Sequence, residues 1–292
     1  MNYIEPVFRP PSEWKSYILQ VTNGCSWNKC TFCEMYQAPH KLFGFKSGQD
    51  IELELQAAAT QMPTQTRVFL ADGDAMTLST RRLSIVLSQV KQYLPKVRRI
   101  TSYCLPRNIA NKSVEELTKL RLLGLKMVYV GCESGDDEVL RLVDKGETYE
   151  SSLVALTKLK QAGIKSSVMI LNGLGGTHLS HQHAINSARL MNAAQPDYLS
   201  TLVVSFPMGE QRFKQHYPDY EMLSQQQLFQ EMEWLLTELK LEKTIFRSDH
   251  ASNYLVLKGV LNKDKETMLT QIRAALTKPT SIPLRQEWQR GL

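Results

Sequence analysis

Val21-Thr-Asn-Gly-Cys25-Ser-Trp-Asn-Lys-Cys30-Thr-Phe-Cys33 sets three cysteines within nine residues. The stretch follows Tyr17-Ile-Leu-Gln-Val21, a short β-rich run that reads as a strand. Three thiolates are one short of a closed tetrahedral zinc site and one short of full ligation of a four-iron cluster. If they hold a four-iron cluster, one iron is left without a protein ligand. Such an iron binds a substrate or cofactor directly, so it is a chemical site rather than a wire. A structural zinc site is the competing reading of grouped cysteines. Its fourth ligand would come from Cys104, Cys132 or a histidine, because no second C-x2-C pair is present.

Outward from this stretch, the chain reads as one large domain with an appendage. Its 292 residues are enough to bury a sizeable core. A hydrophobic fraction of 42% and a charged fraction of 22% are ordinary for a globular protein. No apolar run approaches membrane-span length, and no basic segment leads into an apolar one at the N-terminus. Neither a membrane span nor a signal peptide is therefore expected. Five cysteines, an odd number with three clustered, argue for a reducing, cytoplasmic setting and against a disulfide framework. The net charge of +6 is scattered apart from short groups such as Lys96-Val-Arg-Arg99. A solvated basic face accounts for it; nucleic acid is permitted but not favoured.

Six strand-like runs alternate with helical segments. The runs are Tyr17–Val21, Arg67–Ala71, Arg99–Cys104, Lys126–Val130, Lys165–Leu171 and Tyr198–Ser205. Between them fall apolar repeats at the three-and-four spacing of a helix, as in Leu83, Val86, Leu87, Val90 and Leu94. Ser113-Val-Glu-Glu116 is a capping box, and Gly124 and Gly163 read as helix stops. Alternation of this kind means parallel strands joined by right-handed helical crossovers, an α/β fold. Six such units give a partial (β/α)6 TIM-like barrel, or an open doubly wound sheet if the strand order reverses. The expected organisation is an extended lead-in over 1–16, the (β/α)6 core over 17–210 and a C-terminal helical cap over 211–292.

In parallel α/β folds function collects at the carboxyl ends of the strands. Here the first strand ends in the cysteine loop and the second in Ala71-Asp-Gly-Asp-Ala75. The third ends in Tyr103-Cys-Leu-Pro-Arg107, the fourth in Gly131-Cys-Glu-Ser-Gly135, and the fifth in Asn172-Gly-Leu-Gly-Gly176. Polar, glycine or cysteine residues close every one. Cys104 and Cys132 face the mouth in this phase; either is a candidate to donate a hydrogen atom or hold a substrate covalently, Cys104 first, beside the alternative of a small buried hydrophobe. The Gly173 turn is not a phosphate-binding loop, since no Lys-Ser/Thr follows it. His178, His181 and His183 do not share a helix face and read as exposed histidines rather than a metal site. Arg247, Asp249, His250, Ser252 and Asn253 form a dense polar set, read as a lid in which His250 and Asn253 serve recognition or proton transfer.

The cysteine loop resembles the radical S-adenosylmethionine (radical SAM) superfamily, whose usual spacing is C-x3-C-x2-C; this chain has C-x4-C-x2-C. The resemblance extends to Glu133-Ser-Gly-Asp-Asp-Glu-Val-Leu-Arg-Leu-Val-Asp-Lys-Gly-Glu-Thr148. This run looks like a stretch found in proteins related to coproporphyrinogen dehydrogenase and the methylthiotransferases. It implies the partial barrel, a [4Fe-4S] cluster on Cys25, Cys30 and Cys33, and S-adenosyl-L-methionine on the open iron. It further implies that Phe32 lies near the adenine and that Asp72-Gly73-Asp74 stands where the family has Gly-Gly-Glu to hold the SAM amino group. Glu133 and Ser134 would bond the ribose, Lys145 (or Arg141) would pair with the SAM carboxylate, and Gly173 would lie near the adenine. The activity implied is reductive cleavage of SAM to a 5′-deoxyadenosyl radical that abstracts a hydrogen atom from an unidentified small-molecule, peptide or RNA substrate. The electron would come from an external donor of flavodoxin or ferredoxin type. Two rival readings are a non-catalytic haem chaperone on the same fold and a zinc-stabilised RNA-binding protein.

Overall fold

Short apolar runs bounded by turn residues become strands, and the amphipathic segments between them become helices that cover one strand face. The computed structural model describes residues 3–290. In chain order the strands and helices are β1 (Tyr17–Gln20), β2 (Thr22–Asn23), β3 (Gly44–Phe45), α1 (Gly48–Gln61), β4 (Arg67–Ala71), α2 (Thr80–Tyr93), β5 (Arg99–Cys104), α3 (Arg107–Ala110), α4 (Val114–Leu122) and β6 (Leu125–Glu133). They continue with α5 (Asp137–Leu142), α6 (Tyr149–Gln161), β7 (Lys165–Asn172), α7 (Gly176–Ala194), β8 (Tyr198–Val203), α8 (Gln211–His216), α9 (Gln225–Glu238), β9 (Ile245–Ser248), β10 (Leu257–Val260) and α10 (Leu261–Thr277). The fold class is α/β with a mostly parallel sheet, as the alternation predicts. Among the described residues no helix is long and apolar enough to cross a membrane.

The chain divides into two compact units. One holds the chain up to Asn28, Cys33–Gly131 and Val154–Ser166; the other holds Lys29–Phe32, Cys132–Leu153 and the chain from Ser167 onward. In the first unit β1, β4, β5 and β6 are parallel neighbours in chain order. Phe69, Tyr103 and Tyr129 share one strand face, their rings meeting edge-on at 5.1 and 6.3 Å. The opposite face is covered by helices, with Leu55, Leu83, Leu87, Leu117 and Leu120 fully buried. The lead-in contributes a short 3-10 turn at Pro11–Glu13. Its fully buried Glu13 accepts from the Tyr129 hydroxyl at 2.6 Å and pairs with Arg99.

In the second unit β7, β8 and β9 are parallel in chain order, and β10 closes antiparallel on β9. Residues 244–260, which the sequence leaves between strand and loop, are therefore a hairpin. Residues in or just past α5, β7 and β8 build an apolar cluster, Val139, Val143, Leu171, Leu174 and Val204, roofed by Phe213, Tyr217 and Tyr220. The strand order within each unit is that of a barrel wall; the reversal that marks a doubly wound sheet occurs in neither.

Gly135, just past β6, packs against α7 so closely that a methyl group there would meet the Asn186 carbonyl oxygen at 2.3 Å. Backbone cannot yield as a side chain does, so Gly135→Ala is expected to cost about 1–3 kcal/mol. A urea midpoint equal to that of the parent chain would refute this close-packing account.

Candidate active site

The residues singled out by sequence fall into two groups, one in each unit. In the first, the cysteine loop is anchored to the end of β4 by charge. Lys41, at the far end of the loop, buries its ammonium 2.5 Å from the Asp72 carboxylate, and neither side chain has exposed surface. The same ammonium donates to the Ile4 carbonyl at 2.6 Å and to Asn23 Oδ1 at 3.3 Å. Burial pushes the Asp72 carboxyl above the ordinary carboxylate range, against the pull of Lys41. Asp74 is fully buried and accepts from the Ser26 hydroxyl, next to Cys25. Burial raises its carboxyl too, opposed by the Ser26 and Asn108 side chains. Both aspartates thus hold the cysteine loop. The close approach that Gly73 permits is taken by the Tyr36 ring, 2.5 Å from where a Cβ would stand.

Within this unit the loop is further closed by side chains. Asn23 donates to the carbonyls of His40 and Leu42, each at 2.9 Å, and Asn28 donates to the Tyr36 carbonyl at 2.9 Å. Asn28 lies in the spacer between Cys25 and Cys30 and adopts the left-handed conformation that asparagine tolerates. The Arg107 guanidinium stacks 3.8 Å from the centre of the Trp27 ring. Cys25 and Cys33 are half-buried.

The second group is built around the end of β6. Glu133 has a left-handed φ of 63°, a conformation a non-glycine residue holds only where its surroundings over-determine it. Its Oε1 accepts from Lys145 Nζ at 3.1 Å, while its buried Oε2 has no hydrogen-bond partner. Burial alone would push the Lys145 ammonium down; the neighbouring charges of Glu133 and Cys30 overcome this and hold it above the ordinary lysine value. Thr31 donates its backbone N–H to the Val143 carbonyl at 3.0 Å, seating buried Cys30 and the Phe32 ring on the apolar cluster. Lys145 Nζ lies 5.9 Å from the centre of that ring. The exposed Arg141 takes no part.

Other expected residues are engaged within the protein. Ser134 is fully buried, with its hydroxyl 2.8 Å from His183 Nδ1 and accepting from the Asp136 N–H at 3.0 Å. His183 is accordingly not an exposed histidine; His178 and His181 are. Gly173 gives its N–H to Glu231 at 2.6 Å and its carbonyl to the Tyr220 hydroxyl at 3.0 Å. Cys104 does not face the mouth. It alternates with Tyr103, which lies on the aromatic face, and its 2%-exposed thiol turns to the helix side near Lys112. Cys132, on the same phase, is fully buried, and burial pushes its thiol up to about 12. The segment 247–253, read as a lid, is bonded both within itself and to β8 and the C-terminal tail. His250 Nδ1 meets the Ser252 hydroxyl at 2.9 Å, Asn253 donates to the Thr201 carbonyl at 2.9 Å, and Arg285 donates to the carbonyls of His250 and Asn253. Among the described residues no three Cys, His, Asp or Glu side chains are drawn into a metal-holding group, and none of the cysteines is disulfide-bonded.

Sequence reasoning missed Lys41, Tyr36, Tyr220 and Glu231. Each acts through a partner distant in sequence, and only the unusual burial of a charge or hydroxyl marks it.

Two expectations follow. Lys145→Met leaves the Glu133 carboxylate buried beside no cation and should cost about 3–5 kcal/mol. Adding Glu133→Gln should recover part of that loss; two additive losses in urea denaturation would dissolve the pair. Burial, then the Arg285 guanidinium, push His250 below the ordinary histidine value of 6.5, with Asp249 opposing. A depressed histidine contributes stability that is present above 6.5 and lost as pH falls through the lowered value. The urea midpoint should therefore fall between about pH 7 and pH 5, and less steeply in His250→Gln. Equal slopes would remove His250 from the account.

The chain is 20% identical over 176 residues to the heme chaperone HemW of Bacillus subtilis (strain 168), a match covering 60% of this chain and 46% of HemW. Among solved structures it is similar to coproporphyrinogen III oxidase (HemN) from Escherichia coli, with a TM-score of 0.56, 17% identity and coverage of 76% of this chain and 52% of HemN. It is also similar to the methyltransferase TsrM from Kitasatospora setae, with a TM-score of 0.52, 19% identity and coverage of 64% and 36%. The chain thus spans about half or less of the length of each of these relatives. At these identities the structural likeness speaks for the fold. The family model described as the radical SAM superfamily matches residues 19–190, more than half of the sequence, and the chain belongs to that superfamily.

Proposed function

We propose that the chain is a radical SAM enzyme acting on a substrate still to be identified. The [4Fe-4S] cluster and SAM come with the family. The residues present fit both: three soft thiolates in one loop suit iron, and Glu133 Oε2, buried and without a partner, suits hydroxyl donors such as a ribose. That unpartnered oxygen at the end of β6 is the observation that carries the reading, because a buried acceptor left unmade is costly in a protein that has no use for it.

In this reading Cys25, Cys30 and Cys33 would hold the cluster, and Glu133, Lys145 and Phe32 would line the SAM seat. With both groups bound, the chemistry supplied is one-electron cleavage of SAM and removal of a hydrogen atom from the substrate. The protein's share is positional. Lys41 and Asp74 fix the loop, Lys145 orients Glu133, and the tyrosine and apolar cover excludes water. Asp72 and Asp74 would contribute through the main chain around Gly73, since one oxygen of each carboxylate already holds the loop. An external one-electron donor of flavodoxin or ferredoxin type would supply the electron, in a cytoplasmic setting.

The test is anaerobic reconstitution with iron and sulfide, followed by dithionite and SAM, with Cys30→Ala as control. About four irons per chain, an EPR shift on adding SAM and cysteine-dependent 5′-deoxyadenosine are expected. SAM binding without 5′-deoxyadenosine would turn the reading to a non-catalytic SAM-binding protein. Bound zinc in place of iron would sink it.

A further inference from the structure

The glycine turn that ends β7 has little shape of its own. Gly173 and Gly176 both lie at positive φ, 80° and 60°, and glycine leaves such a turn free to move between many conformations. In this protein the turn is held by one later segment. Tyr220 and Tyr217 donate their hydroxyls to the carbonyls of Gly173 and Gly175 at 3.0 and 2.9 Å. Glu231 accepts from the Gly173 N–H and the Ser180 hydroxyl, each at 2.6 Å. The Thr177 N–H donates to the Glu221 carbonyl at 3.0 Å. The Tyr220 ring fills the space over Gly176, 2.9 Å from where a Cβ would stand.

The same segment reaches the cysteine loop. Phe213, Tyr217 and Tyr220 roof the cluster on which Phe32 packs, and Arg212 donates to the Lys29 carbonyl at 3.5 Å. The two hydroxyls and the carboxylate are buried and aimed at main-chain atoms of one turn. Ordering them costs more than a solvent-facing cap requires, so a purpose at the turn is implied.

We propose that Tyr217, Tyr220 and Glu231 are positioning residues for SAM: by fixing the Gly173–Gly176 turn and the seat of Phe32, they make residues 212–231 a built part of the cofactor site. This rests on the radical SAM reading above. A turn already in its bound shape spares the ligand the cost of ordering it, so loosening it should appear in affinity for SAM before it appears in cluster content.

The experiment uses the full, cluster-reconstituted chain. Tyr220→Phe, Glu231→Ala and Glu231→Gln are compared with Tyr254→Phe, whose hydroxyl bonds Glu287 instead. SAM dissociation constants, iron content, thermal midpoint and the EPR spectrum with and without SAM are recorded. Loss of one such hydrogen bond corresponds to a weakening of about fivefold to tenfold. Tyr220→Phe and Glu231→Ala should bind SAM that much more weakly, with iron content and the SAM-free spectrum unchanged and the SAM-induced shift reduced. Glu231→Gln keeps an acceptor for the Gly173 N–H and should restore affinity; Tyr254→Phe should match the parent. Parental affinity in both Tyr220→Phe and Glu231→Ala overturns the proposal. So does a loss of iron and thermal midpoint that accounts for the weaker binding, since that is a merely structural role. A parent chain that takes up iron but shows no SAM-induced shift overturns the radical SAM reading and the clamp with it.

Discussion

An ammonium and a carboxylate, neither with exposed surface, meet 2.5 Å apart where the cysteine loop returns to β4. Isolated, each would be expelled from the interior or discharged; together, with Ile4 and Asn23 satisfying the remaining protons of Lys41, they are held in place. The pair is the constraint on which the first unit turns. It joins the lead-in, the strand that precedes the loop and the strand beside it at one point. Such a pair contributes little net stability against a well-packed apolar alternative, yet breaking it is costly. Its worth lies in geometry: a loop of polar and small residues, with no periodicity to fix it, acquires one arrangement.

The second unit repeats the device with a different outcome. Glu133 and Lys145 are also a buried pair, at 3.1 Å, and like Asp72 the glutamate has one carboxylate oxygen unmatched. The Asp72 pair ties the cysteine loop to β4, whereas the Glu133 pair lies beside the Phe32 ring. Two pairs of the same chemistry therefore differ in surroundings: one fastens a loop to a strand, and the other stands among the residues that the proposed SAM seat would use.

Much of the fold was legible in the sequence because its signals are local. The 3.6-residue repeat of Leu83 to Leu94, the capping box at Ser113 and the stops at Gly124 and Gly163 mark elements with little help from tertiary structure. The family was legible for the same reason, through Cys25–Cys33 and Glu133–Thr148. What the sequence hid was phase and partnership. Cys104 and Cys132 sit at strand ends, as read, but one residue decides which face they join, and the aromatic stacking of Tyr103 sends them to the helices. His250 and Asn253 looked available because, Ser252 apart, what engages them is distant in sequence: Arg285 reaches their carbonyls from the tail, 35 and 32 residues on. Ser134 and His183 are joined across 49 residues, a distance over which no spacing rule operates.

The phase of β5 and β6 bears on assembly. Of the five thiols, Cys104 and Cys132 are sealed behind the sheet, and Cys132 is pushed to about 12, so it stays protonated at neutral pH. A thiol that neither ionises nor meets solvent does not compete for iron. In the proposed reading, incoming metal and sulfide would encounter a single set of donors, presented by one loop that is pinned by buried charge. The fold reduces the number of ways the centre can be put together wrongly before any cofactor arrives.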